Sequence, residues 1–339
     1  MNRRHFLQLG GGLLVSGAVA ARVGRGDGGA IIDPSHVDRS EELSAQQFHA
    51  SRRYATTRFG AIAYVERGIG PAALFLHGFP LNGFQWRGAL PRLAPYRRCI
   101  APDFLGMGFT QVAPGQDVGP EAQVAMLIAL LDTLAIDTVD LVANDSGGAI
   151  AQLLLARHPQ RVRTILLSNC DSEIDSPPPA LRPVIELSKQ GRFVDEWLAP
   201  WWENPAVARS AQGIGGMCYA DPSQPGDEAI DMYFGPLLAT ARRKSLAHAY
   251  AIGLERNALA GTGAALARSR APARIVWGAA DTIFAADGAR HLQRSFGVSR
   301  GLRMIEGGKL FWPEERPDII AEEARRLWNA WGPRYADWR

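Results

Sequence analysis

Lysine and cysteine are scarce in this chain, and no apolar run reaches the ~18 to 20 residues that a bilayer-spanning helix needs. Cys99, Cys170 and Cys218 are too few and too scattered for a disulfide framework or a metal cluster. Lysine is confined to Lys189, Lys244 and Lys309, so nearly all positive charge is arginine, a bias we attribute to codon usage. The net charge is only +3 and no block of like sign concentrates it, which argues against a nucleic-acid partner. What is present is ordinary globular composition, 47% hydrophobic and 21% charged, which excludes a disordered, collagenous or coiled-coil chain. A length of 339 residues suffices for one large α/β domain or two smaller ones, each with a buried core.

Residues 2–8, Asn-Arg-Arg-His-Phe-Leu-Gln, have the form of a twin-arginine export motif. An apolar, glycine-rich stretch follows to residue 20, where Ala18, Val19 and Ala20 suit a signal peptidase. The expectation is a leader over 1–20 and an exported, periplasmic or extracellular protein. A mis-assigned start ahead of a cytosolic enzyme is the competing reading. Residues 21–51, rich in Gly, Asp, Ser and Gln, read as a linker or loose arm.

The remainder alternates strands and helices, the pattern of a mostly parallel sheet covered on both faces. Segments 54–60 and 61–67 predict an antiparallel pair turned at Gly60, followed by strands over 72–76, 98–102, 138–143 and 162–168. Strands over 274–278 and 302–305 complete eight, with helices over 121–134, 147–157 and 317–331. Between 175 and 263 the character changes: Pro177, Pro178 and Pro179 open short helical pieces with tryptophans and tyrosines but no strand. This insertion after the sixth strand predicts a helical lid between core parts 52–174 and 264–339.

The segment 141–148, Leu-Val-Ala-Asn-Asp-Ser-Gly-Gly, reads as strand, sharp turn and helix, with small residues two before and two after Asp145. That spacing fits a nucleophile elbow, in which a strained turn points its residue into the pocket above a helix N-terminus. A serine is more usual there, but the register selects an aspartate. Asp145 as a mere helix cap is the bland alternative. Ser146 is a rival nucleophile, with Asn144, bulky for an elbow, two residues before it.

Taken with His77-Gly78-Phe79-Pro80, with residues 103–108 and with residues 277–281 (Trp-Gly-Ala-Ala-Asp), this elbow resembles the α/β-hydrolase superfamily over residues 54–331. Within it the chain resembles epoxide hydrolases and haloalkane dehalogenases, which use an aspartate nucleophile. The resemblance implies an α/β-hydrolase fold, an eight-stranded mostly parallel sheet with a helical lid, and no metal or organic cofactor. It implies that Asp145 attacks an electrophilic carbon of a small hydrophobic molecule to form an alkyl-enzyme ester. The backbone N–H groups of Phe79 and Ser146 would form the oxyanion hole, and Asp281 stands where the family keeps the acid that orients its histidine. Tyr219, Tyr233 and Tyr250 are the candidates to hydrogen-bond an epoxide oxygen. Trp201 and Trp202 are candidates to line the pocket, although core packing is the usual role of such pairs.

The departures are as informative. Counting back from Pro317 puts Leu310 in the seat of the family's histidine, and leucine cannot take a proton from water. His248 is the histidine that could replace it; a packed or solvated side chain is the competing reading. His77 belongs to the oxyanion turn. Asn169 or Asp171 could supply a polar group near the pocket mouth. Ser146 and Phe79 stand where dehalogenases hold the halide with tryptophan and asparagine, which disfavours dehalogenation; epoxide hydrolases, too, usually carry a tryptophan where Ser146 stands, so the chain is atypical of both. A non-hydrolytic protein on the same scaffold is the further alternative.

Overall fold

The computed structural model describes residues 42–329. The expected leader, 1–20, and residues 21–41 of the expected arm lie outside the described residues.

Nine strands form one sheet: β1 (Arg52–Thr57), β2 (Gly60–Arg67), β3 (Ala72–Leu76), β4 (Arg98–Pro102), β5 (Gln111–Val112), β6 (Val139–Asp145), β7 (Val162–Cys170), β8 (Ala273–Gly278) and β9 (Ser299–Ile305). Their spatial order is β1-β2-β4-β3-β6-β7-β8-β9, with β5 pairing β2. β1, β4 and β5 run antiparallel to β2, whereas every later neighbour pair is parallel. β3 and β6 are buried at every position, as central parallel strands between two helical layers must be. Asp140 within β6 is tolerated because Arg97 and Arg163 each approach its Oδ2 at 2.8 Å.

All eight expected strands are present. The ninth, Gln111–Val112, is too short to carry a hydrophobic alternation. It moves the helical insertion to a place after the seventh strand in chain order. The first hairpin turns at Arg58 and Phe59, not at Gly60, which opens β2 with φ +120°. A Cβ on Gly60 would lie 1.9 Å from the Gln111 carbonyl oxygen, so the approach of β5 requires glycine.

The end of the expected arm is ordered. Ser44 and Gln47 form a capping box on the helix Ala45–Ala50, and Phe48 is buried edge-to-face against Phe84 at 5.2 Å. Between β7 and β8 the chain forms helices, including Arg182–Lys189, Ala199–Glu203, Asp227–Leu238 and Ala241–Gly253. Their inner side carries an aromatic chain, Phe193, Trp197, Trp201 and Phe234, with successive centroids 5.8 to 5.9 Å apart. No helix among the described residues is long and apolar enough to cross a membrane.

Candidate active site

β6 ends on Asp145 and the helix Ser146–Arg157 begins on the next residue. The turn between them is confined to Asp145, at φ 56° and ψ −136°, a region that non-glycine residues seldom adopt. Only glycine fits behind it. A Cβ on Gly147 would lie 2.5 Å from the Leu76 carbonyl oxygen, and one on Gly148 would lie 2.3 Å from Cys170 Cβ. The strained residue is therefore Asp145, and Ser146 is the first residue of the helix.

The Asp145 carboxylate is held by the two N–H groups expected to form an oxyanion hole. Phe79 N–H donates to its Oδ1 at 2.8 Å and Ser146 N–H at 2.5 Å. Burial pushes the Asp145 pKa up to about 6, against the opposing pull of those bonds. The Ser146 hydroxyl lies 3.1 Å from the Tyr250 hydroxyl, and the Tyr250 ring stacks on Phe79 at 5.4 Å. Asn144, behind the elbow, donates to the carbonyl oxygens of Ser168, Asn169 and Leu310 and accepts from Gln85 Nε2 at 2.6 Å. It thereby ties the tip of β6 to β7 and to the loop of Leu310.

Asp145 and Ser146 open onto a cavity of about 840 Å³. Its walls are mainly apolar, with Phe79, Phe193, Trp197, Trp201, Leu310 and Phe311 among them. Asp171 and Lys309 add charge-bearing groups to the lining, and the Lys309 ammonium donates to the Gly216 carbonyl at 2.6 Å. Asp171 lies one residue beyond Cys170, the β7 partner of Asp145 in register. Its carboxyl is pushed up to about 8, first by burial and then by the Asp145 charge.

Leu310, the position that the sequence sets against the family's histidine, is buried and lines the cavity. Asp281 accepts from Asn169 Nδ2 and from Ile283 N–H, each at 2.8 Å, and burial raises its pKa to about 6. It is thus held in place by Asn169 and by the backbone of its own loop.

Several candidates face elsewhere. Tyr219 and Tyr233 donate to Glu314 Oε2 at 2.9 and 2.8 Å, and Arg87 meets the other oxygen of Glu314 at 2.6 Å. Both tyrosines therefore serve a buried ionic cluster, and neither lines the cavity. Trp201 lines it, but Trp202 is 42% exposed and donates to Asp231 at 2.9 Å. His248 is a packed histidine: its Nε2 accepts from Val194 N–H at 3.2 Å, burial lowers its pKa, and it is not among the cavity-lining residues. His77 bonds Phe104 N–H through Nε2 and the Gly78 carbonyl through Nδ1, a purely structural arrangement. Sequence reasoning missed Trp197 and Phe193, which the aromatic density of the insertion alone does not single out.

The profile of the family described as alpha/beta hydrolase fold matches residues 71–314. A haloalkane dehalogenase from Mesorhizobium japonicum is 48% identical over 102 residues, 30% of this chain and 33% of its own length. A 2-hydroxy-6-oxo-2,4-heptadienoate hydrolase from Pseudomonas putida is 47% identical over 83 residues, 24% of this chain and 30% of its own. An epoxide hydrolase from Siraitia grosvenorii is 41% identical over 101 residues, 29% of this chain and 32% of its own. The matched stretches thus span about a third of these curated relatives. Among solved structures, an alpha/beta hydrolase fold protein from Burkholderia ambifaria superposes with TM-score 0.69 at 23% identity, covering 80% of this chain and 96% of its own. A haloalkane dehalogenase from Bradyrhizobium elkani does so with TM-score 0.67 at 24% identity, covering 83% and 99%. At that identity the structural likeness speaks to the fold.

Proposed function

We propose a function on the premise that the chain belongs to the alpha/beta hydrolase fold family. It is a hydrolase in which Asp145 attacks an epoxide carbon of a small to mid-sized apolar molecule and forms an alkyl-enzyme ester. The observation that carries this reading is the Asp145 carboxylate, its Oδ1 bonded by Phe79 and Ser146 N–H at the edge of an 840 Å³ cavity. With Oδ1 so fixed, Oδ2 is the oxygen left to attack. The same N–H pair then faces the oxyanion that forms when water adds to the ester carbonyl.

Of the three candidate tyrosines, Tyr250 reaches the nucleophile, through the Ser146 hydroxyl. Tyr250 is not itself among the cavity-lining residues; burial raises its pKa, so it stays protonated and acts on the site through the Ser146 hydroxyl, which does line the cavity. The helices between β7 and β8 act as the lid over this site, and their aromatic side favours an apolar substrate.

Dehalogenation is the second reading, favoured by the named dehalogenase relatives and disfavoured by Ser146 and Phe79 in the seats of the halide-holding pair. The twin-arginine reading of residues 2–8 makes the enzyme an exported one; replacing Arg3 and Arg4 by lysine should retain it in the cytoplasm on cell fractionation.

The test is turnover of styrene oxide, 1,2-epoxyhexane and cyclohexene oxide by the wild type and by Asp145→Asn. Diol from the wild type and none from the variant is expected. Equal diol from both overturns the reading.

A further inference from the structure

We propose that Asp171 carries two of the proton transfers of this reaction, first as the acid that protonates the opened epoxide oxygen and then as the base that activates the hydrolytic water. The inference rests on the reading of Asp145 as nucleophile.

Elimination among the cavity-lining residues leads to it. The titratable side chains there are Asp145, Asp171, Cys218 and Lys309. Lys309 donates its ammonium to the Gly216 carbonyl, and burial pushes the Cys218 thiol well up, which leaves it neutral. Outside the lining, Asp281 is bonded by Asn169 and Ile283, and His248 by Val194. Leu310 offers nothing. Asp171 remains, on the strand next to the nucleophile and one residue past its register partner.

Its surroundings suit a group that changes protonation state during turnover. The backbone is pinned, because Gln152 Nε2 donates to the Asp171 carbonyl oxygen at 2.8 Å. The charged and titratable groups facing it are Asp145 on β6, Cys170 at the end of β7, Asp175 beyond β7 and Tyr250 on the helix Ala241–Gly253. The Ser176 hydroxyl is hydrogen-bonded to its carboxyl. Two carboxyl groups opening onto one cavity do not both ionise easily, and the Phe79 and Ser146 N–H groups favour the charge on Asp145, so Asp145 is the carboxylate and Asp171 the acid.

The proton inventory closes on that arrangement. Asp145 Oδ2 forms a bond to the epoxide carbon as the C–O bond breaks, and the leaving oxygen takes the Asp171 proton. Asp145 is now a neutral ester, so its charge no longer adds to the burial that raises Asp171, and Asp171, having given up its proton, is a carboxylate. It accepts a proton from water as the water oxygen bonds to the ester carbonyl carbon. The resulting oxyanion is held by Phe79 and Ser146 N–H. Collapse expels the diol oxygen, which takes the proton of the new Asp145 carboxyl. Asp145 returns as carboxylate and Asp171 as acid. One side chain acting as acid and then base is the logic by which retaining glycosidases turn over.

The test compares wild type, Asp145→Asn and the isosteric Asp171→Asn on the three epoxides, following diol by chromatography and adduct by intact mass. Asp171→Asn is expected to form diol at least ~100-fold more slowly, the usual scale of acid–base assistance, and over hours to gain the mass of one epoxide. The wild-type rate should fall above pH about 8, and the residual rate of Asp171→Asn should not. Diol from Asp171→Asn within threefold of wild type, or a residual Asp171→Asn rate that still falls above pH about 8, overturns the role of Asp171 alone. Absence of diol and adduct in the wild type, or turnover by Asp145→Asn, overturns the nucleophile reading instead.

Discussion

Removing the charge from the nucleophile should stabilise the protein. Asp145 has a folded pKa of about 6 against an ordinary value of 3.8, with burial as the first cause. A carboxyl raised in this way binds its proton more tightly when folded, so ionising it opposes folding. The penalty is absent below pH 3.8, grows between 3.8 and about 6, and is constant above. At ~1.36 kcal/mol per pH unit the gap is worth about 3 kcal/mol. Asparagine at 145 keeps an oxygen for the Phe79 and Ser146 N–H groups and removes the charge. It also removes the repulsion that raises Asp171. With an unfolding entropy of ~2 cal/mol/K per residue, about 3 kcal/mol corresponds to a Tm increase of roughly 5 °C. Calorimetry of Asp145→Asn and wild type from pH 4 to 8 measures it. The expected result is a Tm difference near zero at pH 4 that opens to several degrees at pH 7.5. A variant no more stable than wild type at pH 7.5, or a difference independent of pH, refutes the reasoning.

Other outcomes follow from the same geometry. Tyr250→Phe removes the hydroxyl beside Ser146 and should slow single-turnover alkylation by an epoxide ~10²-fold or more, without lowering Tm by more than a few degrees. Glu314→Gln leaves Arg87 buried with its nearest carboxylate neutralised, and should cost about 3 to 5 kcal/mol in denaturant unfolding. Trp201→Ala should raise KM for an apolar substrate, whereas Trp202→Ala, at the surface, should leave KM unchanged.

The fold was legible because β3 is an unbroken apolar run, because β6 carries the apolar Leu141, Val142 and Ala143, and because the elbow depends on local glycine spacing. Gly147 and Gly148 identify the turn in sequence for the same reason that they are needed in space, since no Cβ fits. The side chains that converge from distant segments were not legible. Tyr219 and Tyr233 were candidates because they are tyrosines in the insertion, but their partner Glu314 lies 95 and 81 residues away. Trp201 and Trp202 were indistinguishable as a pair; successive residues on a helix point about 100° apart, so only one turns inward. Asp171 was expected merely as a polar group near the cavity mouth, because its burial and its proximity to Asp145 arise from the β6–β7 register. Leu310 is the reverse case. Counting back from Pro317 singled out Leu310 in sequence, but that Asn144 holds its carbonyl at 3.1 Å and that the residue lines the cavity were not legible.

The measurement closest to the central claim is a single turnover in oxygen-18 water, with enzyme in excess over an epoxide that the wild type converts, followed by peptide mass spectrometry. If Asp145 is the nucleophile, water adds to the ester carbonyl, and the peptide containing Asp145 gains one oxygen-18 atom while the diol formed carries none. Label found directly in the diol, with the Asp145 peptide unlabelled, contradicts the account.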